Sequence, residues 1–455
     1  MTTDRRLLLA AVLAWLAVAV LGVILGPPLG HDEAAFAVSA RGGAPAWVYR
    51  SAGVTEVARI GVLLGGADWH LRIASALLGS LIVLGAAAVG TAAFSARTGA
   101  WAAAVIVGAH PIALRSAELI GDLPATGCVL LGIALLCSEL SRDEGPRWRF
   151  VLAGPAFAVA FYLRYASAPV VAIAGAAAAA LWWRAIVRRP LPVLAAAGVF
   201  VVMLLPHVVQ SLAATGKLFG ILQVSAKMPR RAYPGEGLVT YLLPGNPFRY
   251  YGVLVAPLLV AGLVGIVRAP PRWRRSIFLG IVAIGQVLAI GLQSHAQPRY
   301  IFVAIVLLVV LGVDALSRLA PPKLRVAALP LVVAAWIGVV VTVPFYSRFL
   351  SDARAPLITA ATAVRTDAAG ARCIIVAKVV TQLMWYTRCA EQRLTAPENL
   401  PPWPLKPKLY VVSVPRASVA IEAVLEARPA LVRELPIPPP ARVWRVLPAP
   451  TVPGL

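Results

Sequence analysis

Charged residues are scarce in this sequence. They make up 13% of the 455 residues, whereas hydrophobic residues make up 60% and the mean hydropathy is +0.81. Because a soluble domain carries about 25% charged residues, this composition excludes an ordinary soluble enzyme. The composition therefore predicts an α-helical polytopic membrane protein.

Motifs that bind free nucleotides are also missing. No Asp-x-Asp pair occurs, which removes the usual metal–diphosphate contact of nucleotide-sugar enzymes. Gly216-Lys217 lacks the upstream glycine and the following Ser or Thr of a phosphate-binding loop. No loop on the predicted inner side is long enough to form a nucleotide-binding fold. We therefore expect the substrate to be met from outside or from within the membrane.

Cysteine is rare, with only four residues. Cys128 and Cys137 fall inside an apolar run and are interpreted as packing residues. Cys373 and Cys389 fall in the C-terminal tail, residues 346–455, which is predicted to lie outside the cytoplasm, in an oxidising compartment. The sequence leaves open whether these two are bonded to each other or free.

The basic residues outnumber the acidic ones by 42 to 19, for a net charge of +23. This excess is not a nucleic-acid signature, because the basic residues cluster between apolar runs on one side of the predicted membrane. That is the positive-inside pattern, and it predicts a cytoplasmic N-terminus in a multi-pass protein of the inner (plasma) membrane. The clusters are Arg5/Arg6, Arg97, Arg142/Arg147/Arg149, Arg184/Arg188/Arg189, Arg268/Arg272/Arg274/Arg275 and Arg318/Lys323/Arg325.

Hydropathy predicts about eleven transmembrane helices and hence an extracytoplasmic C-terminus. We predict a transmembrane catalytic domain at 1–345, with a long first outer loop at 28–69, and an extracytoplasmic α/β domain at 346–455. In this tail 372–377 and 408–413 are interpreted as strands and 417–427 as a helix. The predicted spans are 7–27, 70–94, 99–114, 119–138, 150–163, 166–183, 191–213, 250–267, 276–293, 299–317 and 326–345.

Three acidic residues at the predicted outer ends of spans are the candidate catalytic residues. Asp32 and Glu33 follow the first apolar span, and Asp122 begins the fourth. A carboxylate at the centre of the hydrocarbon layer costs about 3 kcal/mol, so acidic residues near the membrane tend to be paired, hydrated or functional. Simple capping of a helix N-terminus is the alternative for Asp32 and for Asp122. Glu33 is interpreted as fixing local geometry or holding a metal, and Asp32 and Asp122 are expected to flank one cavity.

Arginines at the predicted outer ends of spans oppose the positive-inside rule and are therefore informative. Three of them are followed directly by tyrosine, and a guanidinium presents donors that match phosphate oxygens. Each one alone can be a surface residue that reaches toward water. Together they predict a site for an anionic lipid headgroup, formed by Arg115, Arg164, Arg249, Arg299 and Tyr300.

Histidines at the same boundary do not have the spacing of a metal site, so we assign no metal ligands. The sequence requires no cofactor, although a divalent cation is left open. The residues concerned are His31, His70, His110 and His295.

Several short motifs, and the order in which they follow one another along the chain, resemble those of the GT-C superfamily of integral membrane glycosyltransferases. The branch with protein O-mannosyltransferases and aminoarabinose transferases of lipid A is the most similar. The matching features are Asp32-Glu33 after the first span, a long first outer loop with a surface helix, the 69–79 segment Trp-His-Leu-Arg-Ile-Ala-Ser-Ala-Leu-Leu-Gly, Arg115 to Asp122, and Gln297-Pro298-Arg299-Tyr300. Ala74, where that branch often has proline, and a reduced 44–49 segment depart from the pattern.

The resemblance implies a membrane glycosyltransferase that uses a polyprenyl-phosphate monosaccharide as donor. It implies transfer with inversion to an extracytoplasmic glycan, lipid or protein, with Asp32 as general base or as the group that orients the acceptor. Arg299, together with Arg249 or Arg164, would stabilise the leaving phosphate. A transporter or flippase of lipid-linked sugars and a non-enzymatic assembly protein are the alternatives.

Overall fold

The computed structural model is mostly helical, as expected. It describes residues 2–42, 50–227, 233–243, 245–267, 273–319, 321–377, 380–391, 407–414 and 432–447. The predicted helix 417–427, the 44–49 segment of the first loop, and Arg268 and Arg272 of the basic clusters lie outside these residues.

The helices are α1 Thr3–Ile24, α2 His31–Ala40, α3 Ala52–Leu63, α4 Asp68–Gly79, α5 Leu81–Ala93, α6 Ala96–Val107, α7 His110–Ala113, α8 Asp122–Leu140, α9 Ala153–Leu163, α10 Ser167–Arg188, α11 Pro190–Thr215, α12 Gly220–Lys227, α13 Glu236–Leu242, α14 Asn246–Tyr251, α15 Val255–Val267, α16 Trp273–Gln293, α17 Phe302–Leu319, α18 Pro322–Ala368 and α19 Val380–Thr387. Short 3₁₀ helices occupy Trp148–Leu152 and Pro298–Ile301. The strands are β1 Cys373–Ala377, β2 Ala390–Glu391, β3 Lys408–Ser413, β4 Val432–Glu434 and β5 Arg442–Val446.

Among the described residues, eight helical segments are long and apolar enough to cross a membrane. Each overlaps one of the predicted spans, and the last, Ala327–Ala368, continues well beyond the predicted end at residue 345. The other three predicted spans coincide with shorter apolar helices, at Ala96–Val107, Trp148–Leu163 and Val255–Val267. The exact count of eleven spans is therefore not confirmed, although the fold class is.

The described chain divides into two compact units. The first unit comprises Met1–Leu25, Trp47–Val57 and Arg72–Pro344, and the second comprises Gly26–Ala46, Ala58–Leu71 and Phe345–Leu455. Most of the predicted first outer loop falls in the second unit, together with the tail. The domain bounds 1–345 and 346–455 stay a prediction.

The first unit has two central helical segments. The helix α8 and the segment Pro298–Leu319 are 83% buried along their apolar stretches, against 17% in α11. Small residues permit this close packing: Gly127 of α8 has no room for a side chain against Leu81. Because these two segments are buried over most of their surface, the side chains at their ends are held among packed neighbours.

The second unit contains a mixed sheet in the order β2-β1-β3-β5-β4. β1 pairs in parallel with β2 and β3, and β5 pairs antiparallel with β3 and β4. The predicted strands 372–377 and 408–413 correspond to β1 and β3. The last turns of α18 pack Leu357, Ala361 and Val364 against one face of this sheet. A disulfide joins Cys373 to Cys389 and closes a loop that contains α19.

Candidate active site

Asp122 lies at the start of α8 and is buried, with 4% of its surface exposed. Its position depends on Gly121, because a Cβ at that residue would overlap the carbonyl oxygen of Leu163. This close approach brings the N-terminus of α8 next to the residue that follows α9, Arg164. Arg164 forms an ion pair with Asp122 Oδ1. The buried carboxylate is therefore charge-paired and does not merely cap its helix.

Arg299 joins the same carboxylate from a third segment. Its Nη1 lies 3.7 Å from Asp122 Oδ2. The guanidinium carbons of Arg164 and Arg299 lie 4.7 and 5.7 Å from the centre of the Tyr300 ring, within cation–π range. We call Asp122, Arg164, Arg299 and Tyr300 the arginine cluster. It carries two positive charges and one negative charge, so it has a net attraction for an anion.

The segment that carries Arg299 is held by side chains that the sequence analysis did not select. Gln297 Oε1 accepts a hydrogen bond from Arg299 Nε at 2.7 Å. The hydroxyls of Tyr241 and Tyr251 donate to the carbonyl oxygens of Gln297 and Pro298 at 3.0 and 3.1 Å. Burial raises the pKa of Tyr241 above its ordinary value, so this hydroxyl keeps its proton as a donor.

Gln286 of α16 binds the other end of this segment. Its Nε2 donates to the Tyr300 carbonyl at 3.2 Å, and its Oε1 accepts from the Ala304 N–H at 2.6 Å. Gln286 is one of few polar residues in an otherwise apolar span, and that contrast could have identified it from sequence.

The two other candidate arginines have different surroundings. Arg115 Nη1 lies 2.7 Å from Glu118 Oε2, so its charge is balanced three residues along the chain. Arg249 lies on α14 with its guanidinium carbon 5.9 Å from the Tyr250 ring centre. Two residues later, Tyr251 reaches the Pro298 carbonyl, which places α14 beside the segment of Arg299.

Asp32 and Glu33 belong to the second unit, at the second and third positions of α2. Glu33 is buried, and its Oε2 accepts a hydrogen bond from the Gly30 N–H at 2.7 Å. This is half of a capping box, and it supports the expectation that Glu33 fixes local geometry. Asp32 is half-exposed in the first turn, where the helix dipole favours a carboxylate.

Asp32 and Asp122 lie in different compact units. Their expected arrangement around one cavity therefore stays a prediction.

The histidines of the predicted boundary take part in hydrogen bonds with other residues of the protein. His31 Nδ1 lies 2.9 Å from Thr381 Oγ1, His110 Nε2 lies 2.8 Å from Thr342 Oγ1, and His70 Nδ1 accepts from the Ala67 N–H at 3.1 Å. Within the described ranges, no three His, Cys, Asp or Glu residues are grouped as metal ligands would be.

Comparison with known structures identifies the fold. ArnT from Cupriavidus metallidurans superimposes with a TM-score of 0.73 and 15% identity, over 96% of this chain and 97% of that chain. The same protein bound to undecaprenyl phosphate gives a TM-score of 0.72 and 16% identity over the same shares. The arabinofuranosyltransferase AftD from Mycobacteria gives 0.56 and 15%, over 99% of this chain and 40% of that chain.

A family model also matches, described as dolichyl-phosphate-mannose-protein mannosyltransferase, over residues 44–209. No sequence among the curated proteins matches the chain significantly. The structural matches confirm the GT-C fold that the sequence analysis expected.

Proposed function

We propose that this protein transfers a monosaccharide from a polyprenyl-phosphate donor to a hydroxyl group outside the membrane, with inversion at the anomeric carbon. The observation that carries the proposal is the arginine cluster, where two guanidinium groups share one buried carboxylate. A structural neighbour of the same fold, ArnT, has been solved with undecaprenyl phosphate bound.

The arginine cluster suits the phosphate of the donor and of the leaving lipid. Guanidinium groups bind phosphate oxygens in a bidentate way, and a rigid cluster needs little reorganisation when charge develops on the leaving group. Asp122 in this proposal keeps both arginines oriented, and Tyr300 lies against both. In this proposal Arg249 extends the site, whereas Arg115 has a local carboxylate partner.

Asp32 is the proposed group that receives or orients the acceptor. The acceptor hydroxyl oxygen attacks the anomeric carbon as the bond from that carbon to the phosphate oxygen breaks. The electron pair of the broken bond leaves with the polyprenyl phosphate, and the hydroxyl proton passes to Asp32 or to solvent beside it. The sugar would be delivered to a glycan, lipid or protein on the extracytoplasmic side.

The test is sugar transfer in membranes that contain the wild type, Asp32→Asn or Asp352→Asn, supplied with radiolabelled polyprenyl-phosphate mannose, arabinose and glucose. Asp352 is an exposed aspartate of α18 and provides the matched control. We expect transfer from one donor, a loss of about 100-fold or more in Asp32→Asn, and an unchanged rate in Asp352→Asn.

Equal rates for the wild type and Asp32→Asn would remove Asp32 from the reaction. If the wild type consumes none of the donors but moves lipid-linked sugar across the membrane, the protein is a transporter instead.

A further inference from the structure

The helix α19 presents four polar side chains to the segment that precedes Asp32. Thr381 and Trp385 are four residues apart, as are Gln382 and Tyr386, so these two pairs form neighbouring rows on one face of α19. Thr381, Gln382 and Trp385 are buried. Buried polar groups are costly unless they are hydrogen-bonded, so their partners indicate what this face contacts.

Residues 29–31, directly before Asp32, provide partners. Gln382 Nε2 donates to the Leu29 carbonyl at 3.1 Å, and the Leu29 N–H donates to the Tyr386 hydroxyl at 2.6 Å. Thr381 Oγ1 lies 2.9 Å from His31 Nδ1 and donates to the His31 carbonyl at 3.1 Å. Three residues of α19 thus bind the chain at the entry to α2.

Asp68 is the other partner of this face. The Tyr386 hydroxyl donates to Asp68 Oδ2 at 2.6 Å, and Trp385 Nε1 donates to Asp68 Oδ1 at 2.9 Å. Hydrogen bonds to an ionised carboxylate are stronger than neutral ones. The carboxylate therefore fixes the Tyr386 hydroxyl in the orientation that accepts the Leu29 N–H.

Both ends of α2 contact α19. At the far end, Arg41 donates to the carbonyls of Met384 and Trp385 at 3.0 and 3.2 Å, and its guanidinium carbon lies 4.8 Å from the Trp385 ring centre. The core of the second unit holds α19 in turn, through buried Leu383 and the Cys373–Cys389 disulfide.

We propose that α19 and Asp68 form a latch that positions Asp32 for the reaction, with Tyr386 as its main positioning residue. This inference rests on the proposed function, because it assigns α19 and Asp68 of the second unit a role in the same reaction. The latch consists of Asp68, Thr381, Gln382, Trp385 and Tyr386.

The first measurement of the test is hydrogen–deuterium exchange on the purified full-length chain, and it does not depend on any sugar. Tyr386→Phe removes both the acceptor for the Leu29 N–H and the donor to Asp68. We expect exchange in peptides covering residues 29–34 to rise about fivefold, with unchanged exchange in β1 and β3. Gln382→Met, which removes the contact with the Leu29 carbonyl, should change the same peptides.

Tyr410→Phe is the matched control. Tyr410 is buried in the same unit, and its hydroxyl also donates to a carboxylate, Asp367 Oδ2, at 2.6 Å. Neither Tyr410 nor Asp367 belongs to the latch. We expect this variant to leave exchange in residues 29–34 unchanged.

The second measurement is transfer kinetics with the donor that the wild type uses. Misplaced catalytic groups lower turnover without removing substrate contacts, so we expect Tyr386→Phe to reduce kcat about 10- to 100-fold with little change in the donor KM. Tyr410→Phe should keep kcat within about twofold of the wild type.

The outcomes separate the latch from the proposed function. Unchanged exchange in both Tyr386→Phe and Gln382→Met overturns the latch. Faster exchange in residues 29–34 with an unchanged kcat, or an equal loss of kcat in Tyr410→Phe, overturns its role in positioning Asp32. A wild type that transfers no sugar overturns the proposed function and the catalytic part of the latch, while the exchange data still decide whether the contact exists.

Discussion

At the scale of single residues, the arginines selected from the sequence differ in how their charge is balanced. Arg164 and Arg299 share one carboxylate, whereas Arg115 pairs with Glu118. The sequence identified all three because they oppose the positive-inside rule. It did not identify which of them meet, since Asp122, Arg164 and Arg299 come from three segments that are brought together only by packing.

This difference predicts unequal effects on donor binding. Arg299→Gln should raise the donor KM about 10- to 100-fold, because a charged hydrogen bond to phosphate contributes about 1.5–3 kcal/mol. Arg115→Gln should raise it by at most about threefold, because the charge of Arg115 is already balanced by a neighbour. Initial rates over a range of donor concentrations measure both values. Similar KM values for the two variants would contradict the assignment of the phosphate to the arginine cluster.

At the scale of elements, local patterns predicted most helices and two strands but not the contacts that place them. Hydropathy identifies α16 and α17, yet the hydrogen bonds from Gln286, Tyr241 and Tyr251 to the segment between them are not readable from a window of sequence. The helix α19 was missed altogether, because eight residues are too few to show helical periodicity. Its role depends on partners that are hundreds of residues away.

The start of α8 provides a test of close packing between elements. Gly121→Ala would drive a methyl group into the Leu163 carbonyl, and overpacking of this kind typically costs about 1–3 kcal/mol. We expect a lower melting temperature of the purified protein and, because Asp122 and Arg164 are forced apart, slower sugar transfer. Gly198→Ala in α11 is the control, since nothing lies within 4 Å of a Cβ there. An unchanged melting temperature and rate in Gly121→Ala would show that α8 and α9 do not depend on this approach.

At the scale of the whole molecule, composition was sufficient to predict a helical membrane protein. It was not sufficient to predict how the chain divides into two compact units. Most of the first loop belongs to the same unit as the tail, and the Leu29 N–H donates a hydrogen bond to the Tyr386 hydroxyl across 357 positions of sequence. A short stretch of sequence cannot predict this hydrogen bond, because buried polar groups find their partners only in the folded chain. The hydrogen bonds between the first loop and the tail therefore could not be predicted from the sequence.

The number of crossings determines the topology of the molecule, and it can be measured. If only the eight long helices cross, both termini lie on the same side, whereas crossing by the three shorter apolar helices as well places them on opposite sides. The Cys373–Cys389 disulfide favours an oxidising compartment for the tail, and Arg5 and Arg6 favour a cytoplasmic N-terminus.

We therefore expect an epitope tag at the C-terminus to be cleaved by protease in intact spheroplasts, and a tag at the N-terminus to be cleaved only after lysis. Cleavage of both tags, or of neither, before lysis would contradict an odd number of crossings. In that case the shorter helices do not all span the membrane, and the proposed positions of Asp32 and of the arginine cluster at the extracytoplasmic face would have to be revised with them.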